Sequence, residues 1–115
     1  MGTATMVRNN FQTCIEACDK CAQACYICYD ACLNEPDLNA RKNCVKMLVE
    51  CAQMCEMSSA LMSMNGQFAK EHCNMCARAC DACAKECSMF KDEHCQTCAD
   101  ICRMCADECR RMASM

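Results

Sequence analysis

The chain has 115 residues, a mass of 12.9 kDa and a formal net charge of -3, which is the size of one domain with one core. Acidic and basic residues are interspersed, so no basic patch suits nucleic acid or an anionic membrane, and no apolar run approaches the roughly 18 residues of a membrane-spanning helix. We therefore expect a single domain over residues 1–115, with frayed tails at 1–6 and 113–115.

Six cysteines alternate at spacings of four and three residues through the first predicted helix. They are Cys14, Cys18, Cys21, Cys25, Cys28 and Cys32. This is the a/d period of a helix that turns one narrow stripe toward its neighbours, a stripe that Leu, Ile and Val occupy in ordinary bundles. The helix should end before Asn34-Glu35-Pro36-Asp37, because Pro36 disfavours continuation and Asp37 can cap the next helix.

The second predicted helix, over residues 38–64, carries fewer cysteines. Its inward positions are Cys44, Leu48, Cys51, Cys55, Ser58 and Met62, so sulfur becomes rarer toward the C-terminal half. Asn65-Gly66 is a typical helix stop.

The third and fourth predicted helices repeat the cysteine pattern of the first. Helix three covers about 67–89 and carries Cys73, Cys76, Cys80, Cys83 and Cys87. Helix four begins after Asp92, a candidate N-cap, continues to about Met112, and carries Cys95, Cys98, Cys102, Cys105 and Cys109. Because short connections favour antiparallel neighbours, the sequence predicts an all-α fold, an antiparallel up-down-up-down four-helix bundle with a Cys-lined core.

The two ends of this bundle should differ. Hydrocarbon fills the closed end, which consists of Val7, Phe11, Met62, Phe68, Ala69 and Met112. The other end, here named the mouth, gathers Cys32, Cys44, Cys87, Cys95 and His94, with Met47 and Met89 nearby and Lys42 and Lys91 as sources of positive charge. Transfer of a metal ion requires an exposed sulfur or imidazole, so we expect metal uptake at the mouth.

So many cysteines in a short chain usually indicate a disulfide framework, but several features of this sequence argue against one. The count of nineteen is odd, and Gly (2) and Pro (1) are too scarce for a loop-rich stapled fold. Side chains at i and i+4 of a helix also lack the close, oriented Cβ pair that a disulfide requires. Met1–Asn10 shows no secretion-signal pattern and no twin-arginine pair, so we expect a cytoplasmic protein with reduced thiols.

Other uses of cysteine fit the pattern less well. An iron–sulfur protein would need a run such as CxxCxxCxxxCP, and a thioredoxin-like oxidoreductase would need one CxxC beside a βαβ pattern. Cysteine as inert filler is disfavoured, because Ala, Leu or Val would pack without the oxidation hazard. No nucleophile–base pair beyond cysteine itself, no phosphate loop and no inward carboxylate pair is present, so we expect no enzyme and no catalytic residues.

Electrostatic neutrality indicates which ions such a core can hold. Buried thiolates without cations are excluded by desolvation, so the empty core should contain neutral thiols. A monovalent ion that replaces each proton keeps the core neutral at about one ion per sulfur, whereas zinc in Cys₄ sites would leave net negative charge. Cu(I) is soft and tolerates low coordination numbers, so each of the eight CxxxC pairs can bracket one ion. We expect multiple Cu(I) ions per chain; zinc or cadmium on the same cysteines remains the alternative.

The candidate metal ligands are therefore all the cysteines, with three further candidates near the mouth. They are Cys14, Cys18, Cys21, Cys25, Cys28, Cys32, Cys44, Cys51, Cys55, Cys73, Cys76, Cys80, Cys83, Cys87, Cys95, Cys98, Cys102, Cys105 and Cys109, together with His94, Met89 and Met47.

Four runs of residues resemble the cysteine-rich four-helix-bundle copper-storage proteins of bacteria, and among them the cytosolic branch. The runs are CIEACDKCAQACYICYDAC, ECAQMC, KEHCNMCARACDACAKEC and EHCQTCADICRMCADEC, one in each helix. The resemblance implies storage and detoxifying sequestration of many Cu(I) ions on inward cysteines, usually in a homotetramer with copper uptake at one end. Cytosolic relatives often have a more His-rich connection between helices three and four than residues 88–94 provide.

Apolar strips on the outer faces of helices one and two suggest self-association. They consist of Ile15, Ala22, Tyr26, Tyr29 and Leu33, and of Met47, Met54, Met57, Leu61 and Met64. A monomeric bundle does not need such strips, so we expect a homo-oligomer, and a tetramer by the resemblance. Its other expected partners are copper ions and a copper donor or acceptor, either a protein or a small thiol, with neither nucleic acid nor a membrane.

Overall fold

Four α-helices make up most of the computed structural model, which describes residues 9–115 and contains no strand among them. The helices are α1 Gln12–Leu33, α2 Lys42–Ser63, α3 Ala69–Cys87 and α4 Glu93–Ala113, and a short 3₁₀ turn, Leu38–Arg41, precedes α2. The expected tail at 1–6 and Val7 of the predicted closed end lie outside the described residues. Within 9–115, no helix combines the length and apolarity needed to cross a membrane.

The helices form an antiparallel bundle in which each packs against two others. α1 and α3 each contact both α2 and α4. Cross-helix pairs give the directions: Cys14, near the start of α1, lies beside Cys109 near the end of α4, and Cys28 lies beside Cys95. This confirms the predicted all-α up-down-up-down bundle.

The predicted stop between α2 and α3 is present, and Asn65 and Gly66 contribute to it in different ways. The backbone N–H of Gly66 donates to the Leu61 oxygen at 2.8 Å, and that of Asn65 donates to the Met62 oxygen at 3.0 Å. Asn65 has the left-handed φ of 52°. A Cβ on Gly66 would lie 3.1 Å from the Leu61 oxygen. Glycine is therefore needed here for close approach of the chain.

The two aspartates predicted to cap helices two and four bind an arginine instead. Neither Asp37 nor Asp92 makes a side-chain capping hydrogen bond. Both carboxylates instead accept hydrogen bonds from Arg41. Helix two accordingly begins later than predicted, at Lys42, after the 3₁₀ turn, and α3 is shorter at both ends than 67–89.

Small side chains between the cysteines let the helices approach closely. The buried alanines are Ala22, Ala52, Ala69, Ala77, Ala84, Ala99 and Ala106. Interaxial distance depends on the side chains at the contact, so this alanine layer brings thiols of neighbouring helices together. Ile15 and Ala22, expected on the outer strip of helix one, are instead buried at 7% and 6% exposure.

Candidate metal centre

All nineteen cysteines are buried and none is in a disulfide. Each lies on the inward face of its helix, and none exceeds 1% exposure. The period of three and four residues therefore places every candidate thiol where the sequence predicts it, inside the bundle.

The thiols of α1 and α4 interleave along the bundle, in a series here named the α1/α4 ladder. Its Sγ–Sγ distances run from 3.6 to 4.0 Å. At one end Cys109 lies 3.8 Å from Cys14 and 3.6 Å from Cys18. At the other end Cys95 lies 3.8 Å from both Cys28 and Cys32.

A second series, the α2/α3 ladder, lies on the opposite side of the core. Cys55 lies 3.7 Å from both Cys76 and Cys80, and Cys44 lies 3.8 Å from Cys87 nearer the mouth. Cys55 also lies 4.0 Å from Cys105 of α4, which joins the two ladders. The bundle therefore encloses one connected set of sulfur atoms rather than isolated pairs.

Several groups of thiols are close enough to share one ion. Cys21, Cys55, Cys80 and Cys105, one from each helix, have Sγ atoms within 4.8 Å of one another. Metal–sulfur bonds of about 2.3 Å, as zinc makes, place two ligands of one ion about 3.8–4.0 Å apart in tetrahedral or trigonal geometry. The ladder spacings match this range, so the core thiols are already arranged for metal–thiolate bonds.

Most close contacts join different helices, whereas the sequence pattern emphasised CxxxC pairs within one helix. Within single helices, Cys28 and Cys32 are 3.9 Å apart, and the Cys98–Cys102 and Cys105–Cys109 pairs are 4.0 Å apart. The sequence could not show the interhelical pairs, because they depend on the axial register of the helices.

Burial favours the protonated form of two thiols at the mouth, Cys95 and Cys28. Desolvation raises the pKa of Cys95 from an ordinary value of 9.0 to about 12. The contact with Cys87, followed by the contact with Cys98 and burial, raises the pKa of Cys28 as well. Protonated thiols pack as small apolar groups and carry no charge that a metal would have to balance.

The structure brings His94 to the sulfur atoms at the mouth. Its Nδ1 lies 3.4 Å from Cys28 Sγ and 3.5 Å from Cys95 Sγ, and these residues with Cys32 form one candidate metal-binding group. Nε2 lies 3.7 Å from Oε1 of Glu35, which is beyond hydrogen-bond distance, whereas Nδ1 faces the thiols. His94 is therefore placed as a ligand candidate at the mouth.

The two methionine candidates are less close to the core. Met89 lies in the α3–α4 connection and is 62% exposed, while Met47 is half-buried against the core. Their role as ligands remains a prediction.

A residue that the sequence analysis missed, Arg41, occupies the mouth. It is only 4% exposed, and its Nη1 donates toward Cys95 Sγ at 3.5 Å and Cys32 Sγ at 3.7 Å. Lys42 and Lys91, which were expected to supply positive charge there, are exposed. The i,i+4 spacing of Asp37 and Arg41 was the available signal, but it does not by itself indicate burial.

Most of the predicted closed end is apolar and buried. Phe11, Met62 and Met112 are at 9%, 0% and 7% exposure. Phe68 was wrongly assigned to this plug; it precedes α3, is 57% exposed, and only the next residue, Ala69, turns inward.

The second histidine, His72, forms a hydrogen bond near this closed end. His72 Nδ1 lies 2.7 Å from the hydroxyl of buried Ser58, and this hydrogen bond pairs two polar groups at a level where α2 carries no sulfur. His72 therefore differs from His94, whose Nδ1 faces thiols.

The fold and the connected sulfur ladders define a class of protein, a thiol-lined four-helix bundle arranged to hold many soft metal ions. The chain belongs to the copper storage protein family, whose sequence profile matches residues 7–114. No curated protein sequence matches the chain.

Solved structures of bacterial copper storage proteins are closely similar. The Cu(I)-bound copper storage protein BsCsp3 is 40% identical, with a TM-score of 0.85 over 88% of this chain and 95% of that one. The apo form of copper storage protein 3 from Bacillus subtilis is also 40% identical, with a TM-score of 0.84 over 88% of this chain and 96% of that one. The Streptomyces lividans protein Ccsp, loaded with 10 copper equivalents, is 34% identical, with a TM-score of 0.87 over 90% of this chain and 83% of that one.

Proposed function

We propose that this chain stores multiple Cu(I) ions on the thiols of its bundle core. The observation that carries this proposal is the pair of joined ladders, in which buried thiols approach to 3.6–4.0 Å along the bundle. Membership of the copper storage family and similarity to a Cu(I)-bound relative support copper as the ion. The zinc or cadmium alternative finds no support in these relationships.

Charge explains why a monovalent ion suits this core. Arg41 is the buried residue with a permanent charge among residues 9–115, and it lies at the mouth, so thiolates deeper in the bundle have no protein cation near them. Each Cu(I) that replaces one thiol proton leaves that interior neutral. Full occupancy would therefore approach one ion per thiolate, with bridging sulfurs linking neighbouring ions.

The proposed role is storage without catalysis, and its proposed location is the cytosol. The family description names storage, and a Streptomyces lividans relative is described as cytosolic. Sequestration in the core would also limit copper toxicity. A donor or acceptor, either a protein or a small thiol, would exchange Cu(I) at the mouth, where His94 adjoins Cys28 and Cys95.

Crystallography of the Cu(I)-loaded protein, with anomalous scattering at the copper edge, tests this function. Copper peaks should follow both ladders between the level of Cys14 and the level of Cys95. The control is the same crystal form soaked with Zn(II) and measured at the zinc edge. Copper peaks confined to surface histidines or methionines, with the ladders empty, would refute storage in the core.

The oligomer is a homotetramer in this proposal, formed through outer faces of α1 and α2. Tyr26, Leu33 and Met57 on these helices, and Met64 at the C-cap of α2, remain 38–68% exposed. Glu in place of Tyr29 and Met54, which are half-buried beside this surface, would introduce charge and shift the particle to smaller species. Light scattering measures the mass, and Met75→Glu on α3 is the matched control. A monomeric unmodified protein would exclude the tetramer while leaving storage untouched.

A further inference from the structure

The buried Arg41 guanidinium holds a permanent charge beside two thiols. A guanidinium does not lose its proton in proteins, so this charge is present whether or not metal is bound. It lies at 4% exposure, where water screens it weakly. A buried charge of this kind is costly unless its partners compensate for it.

Several groups from both connections at the mouth hold the guanidinium in place. Its Nε donates to Asp37 at 2.6 Å, its Nη2 donates to Asp92 at 2.5 Å, and Glu35 lies 3.8 Å from Nη2. The Phe90 ring lies beneath it, 4.6 Å from ring centroid to Cζ. The guanidinium is thus fixed on its outer side.

The remaining nitrogen, Nη1, faces the sulfur atoms. It lies 3.5 Å from Cys95 Sγ and 3.7 Å from Cys32 Sγ, and these two sulfurs are 3.8 Å apart. The carboxylates of Asp37 and Asp92 pair with the outer side of the guanidinium, and at 49% and 27% exposure they are partly solvated by water. The sulfur side is buried, and there the positive charge acts with less screening.

This position makes the mouth chemically different from the interior. A single Cu(I) bound by two thiolates carries one negative charge, which the interior cannot balance until further copper arrives. We propose that Arg41 is the counter-cation of a receiving site, in which Cys32 and Cys95 hold the first Cu(I) as an anionic bis-thiolate. This inference rests on the copper storage proposed above and adds to it the place and charge state of the first ion.

The exchange at this site is balanced without any redox step. Cu(I) arrives bound to two small thiolates, and two copper–sulfur bonds to the donor break as two bonds to Cys32 and Cys95 form. The two protein thiol protons pass to the released donor thiolates, and copper remains Cu(I) throughout. The protein gains one positive ion and loses two protons, and its new negative charge lies within hydrogen-bond reach of Nη1.

Affinity for the first equivalent of Cu(I), measured by competition with a chromophoric chelator, tests the proposal. Arg41→Met should lower this affinity about tenfold or more, as expected for loss of a charge-assisted hydrogen bond, and leave final capacity nearly unchanged. Arg41→Lys, which keeps the charge, should weaken it less. Arg110→Met, a change at an exposed arginine of α4, is the control and should have no effect.

Asp92→Asn separates charge compensation from a purely structural role. It removes a partner of Arg41 while leaving the guanidinium, so first-equivalent affinity should stay the same or rise. If Arg41 only ties the two connections together, Asp92→Asn and Arg41→Met will both lower that affinity, and the inference is overturned. If Arg41→Met does not fold, Arg41→Lys and Asp92→Asn still test the proposal: a rise in first-equivalent affinity in Asp92→Asn supports it, and a fall overturns it. Wild-type protein that binds no copper would instead refute the proposed function.

Discussion

Removing three central thiols tests how copper is distributed over the core. Cys51, Cys55 and Cys80 lie where the α2/α3 ladder meets the rest of the core, with Cys55–Cys80 at 3.7 Å and Cys51–Cys80 at 3.8 Å. With about one Cu(I) per thiolate, changing all three to Ala should lower capacity by about three ions. If each four-thiolate group instead held several ions and emptied as a unit, the loss would be much larger, because Cys51 belongs to one such group and Cys55 and Cys80 belong to another.

The variant should still fold. Each change deletes one buried sulfur and leaves a small cavity, comparable to an Ile→Val change, at about 1 kcal/mol each and about 3 kcal/mol in total. Typical domains have about 5–15 kcal/mol of stability, so most of the fold should survive. Far-UV circular dichroism and urea unfolding of the metal-free protein measure this cost.

Native mass spectrometry of anaerobically loaded protein counts the ions directly. Leu48→Ala is the matched control, because Leu48 is fully buried on the same helix and its loss costs about 2–5 kcal/mol without removing a ligand. The control should keep the wild-type capacity. An unchanged capacity in the triple variant would refute copper binding at these thiols. A loss of far more than three ions would refute the prediction that each thiolate accounts for about one Cu(I).

Three further predictions follow from the ends of the bundle and from burial of the thiols. Phe11→Ala should destabilise the metal-free protein by about 3–5 kcal/mol in urea unfolding with no loss of copper capacity, because it opens an apolar plug. His94→Ala should slow copper loading in stopped-flow absorbance while His72→Ala should not, because only His94 Nδ1 faces thiols. The metal-free protein should lose stability as pH rises from about 9 toward 12, because the unfolded chain releases the Cys95 proton first.

Each of these predictions has an outcome that contradicts it. A marked loss of capacity in Phe11→Ala would mean that the closed end takes part in copper binding. Equal loading rates for the two histidine variants would remove the reason for placing copper uptake at the mouth. A thermal midpoint that is constant between pH 9 and 12 in the metal-free protein would show that burial does not hold the thiol protons. Copper-loaded protein, whose thiols are already deprotonated, serves as the pH control.

The cysteine period was sufficient to predict the bundle and the inward position of every thiol. A spacing of three and four residues directs Cys21 and Cys25 to one helix face whatever the partner helix is. Asn65-Gly66 likewise determines its helix stop through local backbone conformation. Such features depend on neighbours along the chain, and the sequence displays those neighbours.

The features that escaped prediction depend on contacts distant in sequence. Burial of Arg41 requires Asp92 and Phe90, which lie about half the chain away in the connection before α4. The same contact takes Asp92 away from capping. Exposure of Phe68 follows from the point at which α3 begins, and α3 begins at Ala69 rather than two residues earlier. No local pattern specifies these arrangements.

The most direct test of copper storage is anaerobic titration of the reduced, metal-free protein with Cu(I) against a competing chelator, with Zn(II) in parallel. Nineteen buried thiols and a neutral core predict saturation on the order of 10 to 20 Cu(I) per chain. Four-thiolate sites limit Zn(II) to about four ions. Saturation at four or fewer Cu(I) per chain would contradict storage as the function of this bundle.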